Sequence, residues 1–216
     1  KSLSIILPLI GAAVLFLIMR TAVLGFDLGS TTMELMNNPF INQVGNKYVP
    51  FTFGEKSATL FYIFLRYLAL MVFPHPLTHD YYPKQIPMMS FGDGTVLLSV
   101  ALFFTLLFAV YYFYKKDKII SFSILYFFIT FSIVSNVFVN IGTNMNERFL
   151  FMPSLGFCIL IPYLMYKISN NKNITVGIMG LVCLAFAYKT MSRNMIWKDD
   201  FTLFTTDVKT STNSAK

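Results

Sequence analysis

Charge is what this chain has least of: Asp, Glu, Lys and Arg make up 12% of its 216 residues, where soluble domains carry roughly 25%. A surface wetted on every side is excluded by that scarcity. Cysteine is almost absent, and Cys158 and Cys183 both fall inside apolar runs, where a thiol acts as a small hydrophobe. They form no metal motif and say nothing of redox compartment. There is no glycine-rich nucleotide loop and no Ser/His/Asp nucleophile arrangement. That absence suits an enzyme using a lipid-linked donor, and it suits a non-enzyme equally. The 17 Lys and Arg exceed the 10 Asp and Glu, for a net charge of +7. They sit in short connectors rather than in a basic stripe with interleaved aromatics, so no nucleic-acid partner is expected.

What is present is apolar side chain: 56% hydrophobic and 17% aromatic, with mean hydropathy +0.62. Five runs, 3–19, 95–114, 119–138, 149–166 and 174–188, are apolar enough to cross a hydrocarbon core about 30 Å thick. The last is short and would be lengthened by Lys189 snorkelling toward the headgroups. A sixth run, 58–73, carries Arg66 near its middle, and an unpaired charge at bilayer depth costs at least ~2.5–3.5 kcal/mol. The expected architecture is therefore all-α: a polytopic transmembrane helix bundle of about five spans plus one re-entrant or interfacial helix, with Arg66 facing a polar cavity. The alternative makes 58–73 a true span and sends residues 21–57 to the cytoplasm.

The connectors 115–118 and 167–173 are dense in lysine and belong on the cytoplasmic side under the positive-inside rule. The loops 74–94 and 139–148 and the tail from Ser192 then face the other way. In that tail Asp199 and Asp200 favour a helix N-terminus, and Phe201, Phe204 and Val208 recur at helical spacing, predicting an apolar stripe. Residues 1–191 read as a membrane domain, and 192–216 as the start of an external helical region.

Three polar clusters lie on that outer side. The first is Asn37-Asn38-Pro39-Phe40 after Glu34, whose plain reading is a turn. The second runs from Pro74 and His75 through His79, Asp80, Tyr81, Tyr82 and Pro83 to Asp93. His75, His79, Asp80 and Asp93 have no recognised metal-ligand spacing. Asp80 beside two tyrosines suits a sugar hydroxyl array, while an aromatic belt explains the tyrosines equally. The third, 140–148, ends in Glu147-Arg148 at the mouth of a span. A guanidinium there can take a phosphate bidentately, or the pair can simply anchor the interface.

The order of these features resembles a known family. Asn38-Pro39, Arg66-Tyr67-Leu68, His79-Asp80-Tyr81-Tyr82 with Ile86-Pro87, and the stretch from Asn146-Glu147-Arg148 to Pro153-Ser154-Leu155-Gly156 carry it, with Asn194, Trp197 and Thr202-Leu203-Phe204 behind them. Together they look like the membrane half of the transmembrane and tetratricopeptide-repeat O-mannosyltransferases and their bacterial relatives. The resemblance implies a glycosyltransferase of the GT-C type. Such an enzyme moves a sugar, mannose above all, from a polyprenyl or dolichyl phosphate sugar to Ser or Thr of an acceptor protein on the noncytoplasmic side. It implies an inner-membrane location in a bacterium and the endoplasmic reticulum membrane in a eukaryote, with tetratricopeptide repeats following. It places the catalytic acidic residue in an external loop upstream of Lys1, so the catalytic residue is unknown here and this chain by itself is expected to be inactive.

On the same resemblance Arg148 is the candidate for the donor phosphate, with Glu147 to orient it. Asp80, Tyr81, Arg66 and Asn38 are candidates for the cavity wall or the sugar. No cofactor follows, and a divalent metal is the single one left open. Two other readings stand beside the enzyme: a non-catalytic membrane anchor for a repeat domain, and a transporter, for which only Arg66 speaks.

Overall fold

The computed structural model describes residues 3–25, 38–81, 84–138 and 140–213. Glu34, Asn37, Tyr82 and Pro83 lie outside the described residues. The chain divides into two compact units, Lys1–Thr31 and Thr32–Lys216. The first holds α1 (Leu3–Leu24), an apolar helix of 22 residues.

The second unit opens on a small hairpin of β1 (Ile41–Val44) and β2 (Lys47–Pro50), paired antiparallel. Gly45 turns it at a φ of 62°, a conformation that glycine adopts without penalty. Helix α2 (Phe53–Val72) follows, started by a capping box. The Thr52 N–H donates to Glu55 Oε2 at 2.8 Å, and the Glu55 N–H donates back to Thr52 Oγ1 at 3.3 Å. It buries Ala58, Ile63, Phe64, Tyr67, Leu70 and Met71 along one face.

Four apolar helices make up the rest of the bundle: α3 (Gly94–Phe113), α4 (Lys118–Val134), α5 (Ser154–Ser169) and α6 (Lys172–Asn194). Each packs on its neighbour in sequence. Helices α1, α3 and α6 are long and apolar enough to cross a membrane, while α4 and α5 are shorter apolar helices of 17 and 16 residues. Their exposed side chains, such as Phe104, Phe108, Leu181 and Leu184, form a surface suited to lipid rather than water. The protein is an integral membrane helix bundle.

Local chemistry moves several helix ends from where the apolar runs put them. The run 119–138 stops being helical after Val134, because Asn136 turns left-handed at a φ of 58°. Its amide donates to Thr143 O at 2.9 Å and its carbonyl oxygen accepts from Ile141 N at 2.9 Å. The run 149–166 begins instead with a separate 3-10 turn, Glu147–Leu150, capped by Asn146, and α5 opens only after Pro153. Proline lacks the N–H a continuing helix needs and is tolerated at its start. Asn170 in the left-handed region and Asn171 as cap end α5 and start α6 within two residues.

The core is aromatic. Phe64 meets Phe103, Phe127, Phe128 and Phe131 with ring centroids 5.6 to 6.2 Å apart. Tyr67 stands edge-on to Phe131. Next to it α4 and α5 approach so closely that a Cβ on Gly156 would collide with the Ser123 carbonyl and press on Phe127. Small residues allow this spacing between membrane helices.

Beside the aromatic core, hydrogen bonds also fix α2. Met89 N donates to Thr59 Oγ1, Ser99 Oγ donates to Phe61 O in the early turns of α3, and Tyr67 reaches Asn146 beyond α4. Arg66 on this helix lies with Pro76, Thr78 and Tyr81 of the loop that follows it.

Candidate functional site

Sequence neighbours alone do not build the polar end; three distant segments do. The loop 74–81, the turn around Glu147 and the tail after α6 are stitched together by side-chain hydrogen bonds. Glu147 Oε1 accepts from the Thr78 N–H at 2.6 Å and from the Tyr81 hydroxyl at 3.0 Å. Tyr67 OH donates to Asn146 O at 3.1 Å and accepts from Asn146 N at 2.9 Å. The Asn146 amide in turn donates to His79 O at 3.3 Å. Residues 78–81 and 146–147 thus form one hydrogen-bonded floor.

The tail locks this floor from above. After a 3-10 turn, Met195–Lys198, helix α7 (Asp200–Asp207) is capped by Asp199, whose Oδ1 accepts from Thr202 N at 2.7 Å. Asp207, nearly fully buried, takes both arms of the Arg193 guanidinium, at 2.7 and 2.8 Å. It also accepts from the His79 N–H at 2.7 Å and faces His79 Nδ1 at 3.2 Å. Ser211 Oγ donates to Thr78 Oγ1 at 2.6 Å. The apolar stripe of α7 is its uncovered face: Leu203 and Asp207 are the buried positions, while Phe201, Phe204 and Val208 are exposed. Asp207 takes the inner face because its partners there supply enough donors to offset its desolvation.

The two carboxylates feel opposite environments. Burial pushes the Glu147 carboxyl above its ordinary value, against the lowering effect of the Thr78 and Tyr81 donors and of the Arg193 charge. Burial would raise Asp207 too, but the Arg193 ion pair and the His79 hydrogen bonds hold it below the usual range. Burial, followed by the Glu147 charge and the hydrogen bond to it, raises the Tyr81 phenol. Tyr81 remains a neutral hydrogen-bond donor at every physiological pH.

Within this framework lies a cavity of about 50 Å³ lined by Tyr62, Arg66, Thr78, Tyr81, Gln85 and Ser211 among others. Arg66 is half-buried and carries no hydrogen bond or ion pair among the described residues. Asp80 immediately precedes the lining residue Tyr81 in sequence. Its Oδ1 accepts from the Tyr81 N–H at 2.9 Å, and its buried Oδ2 has no partner among the described residues.

Of the residues singled out in the sequence, the structure brings together Arg66, Tyr81 and Glu147, with Asp80 adjacent. Glu147 does not orient Arg148, since its carboxylate is directed at Thr78 and Tyr81. The Arg148 side chain is exposed and lies over the ring of its neighbour Phe149 at 5.6 Å. Asn38 is buried in a turn of its own, accepting from Phe40 N at 3.0 Å, and does not line the cavity. His75 and His79 go separate ways, to Lys189 Nζ and to Asp207. Among the described residues no three His, Cys, Asp or Glu side chains converge as a metal set. Arg193, Asp207 and Ser211 had no signal in the sequence beyond being polar residues in a helical tail.

Comparison with known proteins agrees with the motifs. Protein O-mannosyl-transferase TMTC3 of Mus musculus is 33% identical over 155 residues, covering 68% of this chain and 17% of the relative. A protein O-mannosyl-transferase of Caenorhabditis elegans is 29% identical over 201 residues, 92% of this chain and 27% of its own length. The chain belongs to the transmembrane and tetratricopeptide-repeat O-mannosyltransferase family. A third member, TMTC1 of Mus musculus, is 28% identical over 227 residues, covering 97% of this chain and 23% of that protein. The chain thus spans about a quarter or less of the length of the O-mannosyltransferases it matches. No family model matches, and no solved structure does.

Proposed function

We propose that this chain forms part of the membrane domain of a glycosyltransferase. In that reading the whole protein passes mannose from a polyprenyl or dolichyl phosphate sugar to Ser or Thr of an acceptor protein on the noncytoplasmic side. In a eukaryotic cell the compartment would be the endoplasmic reticulum membrane. The observation that supports this reading is the hydrogen-bonded union of two family stretches, 78–81 and 146–147, beside a cavity that Thr78 and Tyr81 line in a bundle whose surface suits lipid. A donor with a lipid tail needs such a place, where an apolar surface meets a walled polar pocket.

In this role Glu147 and Asp207 are positioning residues that hold the 78–81 loop. The Asp80 oxygen left without a partner among the described residues, next in sequence to the wall residue Tyr81, would be the group to accept a sugar hydroxyl. Arg148 is exposed and outside the cavity, where it would meet the donor only at the membrane surface. The acid that performs the transfer would come from elsewhere in the protein.

The test is transfer of radiolabelled mannose from dolichyl phosphate mannose to an acceptor peptide by the full-length protein in membranes. Glu147→Gln, which loses the charge that draws the Thr78 and Tyr81 donors, is expected to reduce transfer about tenfold, the worth of a charge-assisted hydrogen bond at roughly 1.4 kcal/mol per decade. Unchanged transfer, or none from the wild-type protein, overturns the reading. The rival reading, a scaffold for a repeat domain, predicts no transfer at all.

A further inference from the structure

We infer that the cavity beside Arg66 is a phosphate subsite, and that Arg66 rather than Arg148 is the residue that binds the phosphate of a lipid-linked donor. The inference rests on the proposed function for the identity of the lipid, and on the cavity alone for the phosphate.

Four observations lead there. Arg66 is half-buried, lines the cavity and has no partner among the described residues, so its five N–H donors are uncommitted within that set. Among the described residues no carboxylate lines the cavity. Glu147, behind the wall, accepts from the Tyr81 hydroxyl, so that proton is committed to Glu147. Two further residues that carry donors line the same space: Tyr62, whose hydroxyl has no partner among the described residues, and Gln85, whose amide nitrogen gives one hydrogen bond there, to Thr210 O at 3.2 Å.

A guanidinium fork with two neutral donors matches a tetrahedral oxyanion. The size agrees: about 50 Å³ is roughly the room of four waters at 10–15 Å³ each, which is also the number of oxygens on a phosphate. Ile86 and Pro76 complete the wall with apolar surface, and the same helix that carries Arg66 buries Ile63, Phe64 and Tyr67 in the bundle core. That combination favours a phosphate on a lipid over a free one. By contrast, the Arg148 guanidinium stands outside the cavity on the Phe149 ring.

Binding of radiolabelled farnesyl phosphate to the purified full-length protein in detergent is the direct test. We expect Arg66→Ala to weaken it at least about tenfold, Arg66→Lys to recover part of the loss, and Tyr62→Phe to cost about threefold. Arg148→Ala should stay within about twofold, and farnesol should not compete. Equal binding by a folded Arg66→Ala protein overturns the subsite, as does equal competition by farnesol. If Arg66→Ala does not fold, the Tyr62→Phe and Arg66→Lys series decides alone, and unaltered binding in both overturns it.

Inorganic phosphate and phosphatidic acid are the competing sources. Either one binding as tightly as farnesyl phosphate overturns the isoprenoid assignment. The two readings fail separately. Arg66-dependent binding without any mannose transfer removes the enzyme and leaves the phosphate site. Mannose transfer indifferent to Arg66 removes the site and leaves the enzyme.

Discussion

Two buried aspartates hold the two ends of this bundle, and they do it differently. At the connector end Asp117 caps α4 through Ile119 N at 3.2 Å. It also accepts from Lys167 Nζ at 2.5 Å and Tyr163 OH at 2.7 Å, both from α5. That cluster is closed: one helix pair, one cap, both carboxylate oxygens answered. At the polar end Asp207 gathers Arg193 and His79 from segments far apart, and Arg66 and one oxygen of Asp80 have no partner among the described residues. A closed cluster describes a joint. An open one, in a place where unsatisfied polar groups are costly, is what the proposed ligand site requires.

The largest expected effect comes from breaking the open end at its anchor. Asp207→Ala leaves the Arg193 guanidinium buried without its partner, with side-chain exposures of 13% and 4% for the pair. It should cost about 3–5 kcal/mol, read as a fall in thermal unfolding temperature in detergent, and it should abolish mannose transfer. Retention of both would make the tail a passive appendage.

Gly156→Ala comes next. It separates the two jobs of the motif that begins at Glu147, since Gly156 touches the facing helix rather than the cavity. Forcing α4 and α5 apart at Ser123 and Phe127 should cost about 1–3 kcal/mol, while farnesyl phosphate binding at temperatures below unfolding stays within about twofold.

The carboxylates of the open end give opposed pH signatures. Asp207 is held below its ordinary 3.8, so its contribution is complete above about pH 4 and is lost as pH falls through the lower folded value. Glu147 is held above its ordinary 4.5, so its contribution is complete below that value and is lost as pH rises through the raised one. A series of thermal melts should therefore show stability falling on both sides. Glu147→Gln should remove the loss on the alkaline side only, and a profile unchanged by it would contradict the buried placement of Glu147.

The smallest effect belongs to the closed end. Asp117→Ala should lower the unfolding temperature less than Asp207→Ala does, because Lys167 is 49% exposed and can turn to water. Mannose transfer should persist. Loss of transfer would mean that the two ends are coupled through α4 and α5.

Much of this was legible in the chain. The apolar runs, the lysine connectors, and caps such as Asp199 ahead of α7 follow from composition and from spacings of one to four residues. The resemblance marked the 78–81 loop and the Glu147-Arg148 turn as belonging to one family pattern. The extents of runs 119–138 and 149–166 were misjudged because Asn136 and Pro153 override hydropathy locally. Which face of α7 is covered was not legible, because periodicity names faces without saying which one packs.

By itself the sequence determined that this protein lives in a membrane, that it is built of helices, and that α2 carries a charge needing a polar neighbour. Those properties depend on local periodicity and on transfer free energy, both written in consecutive residues. Only the tertiary structure decided that Arg66 lines the cavity and Arg148 does not, that Glu147 holds Tyr81 from 66 positions away, and that Asp207 holds His79 from 128. Such pairings are chosen by which buried donors and acceptors can answer one another once the helices have packed, and no spacing along the chain encodes that choice.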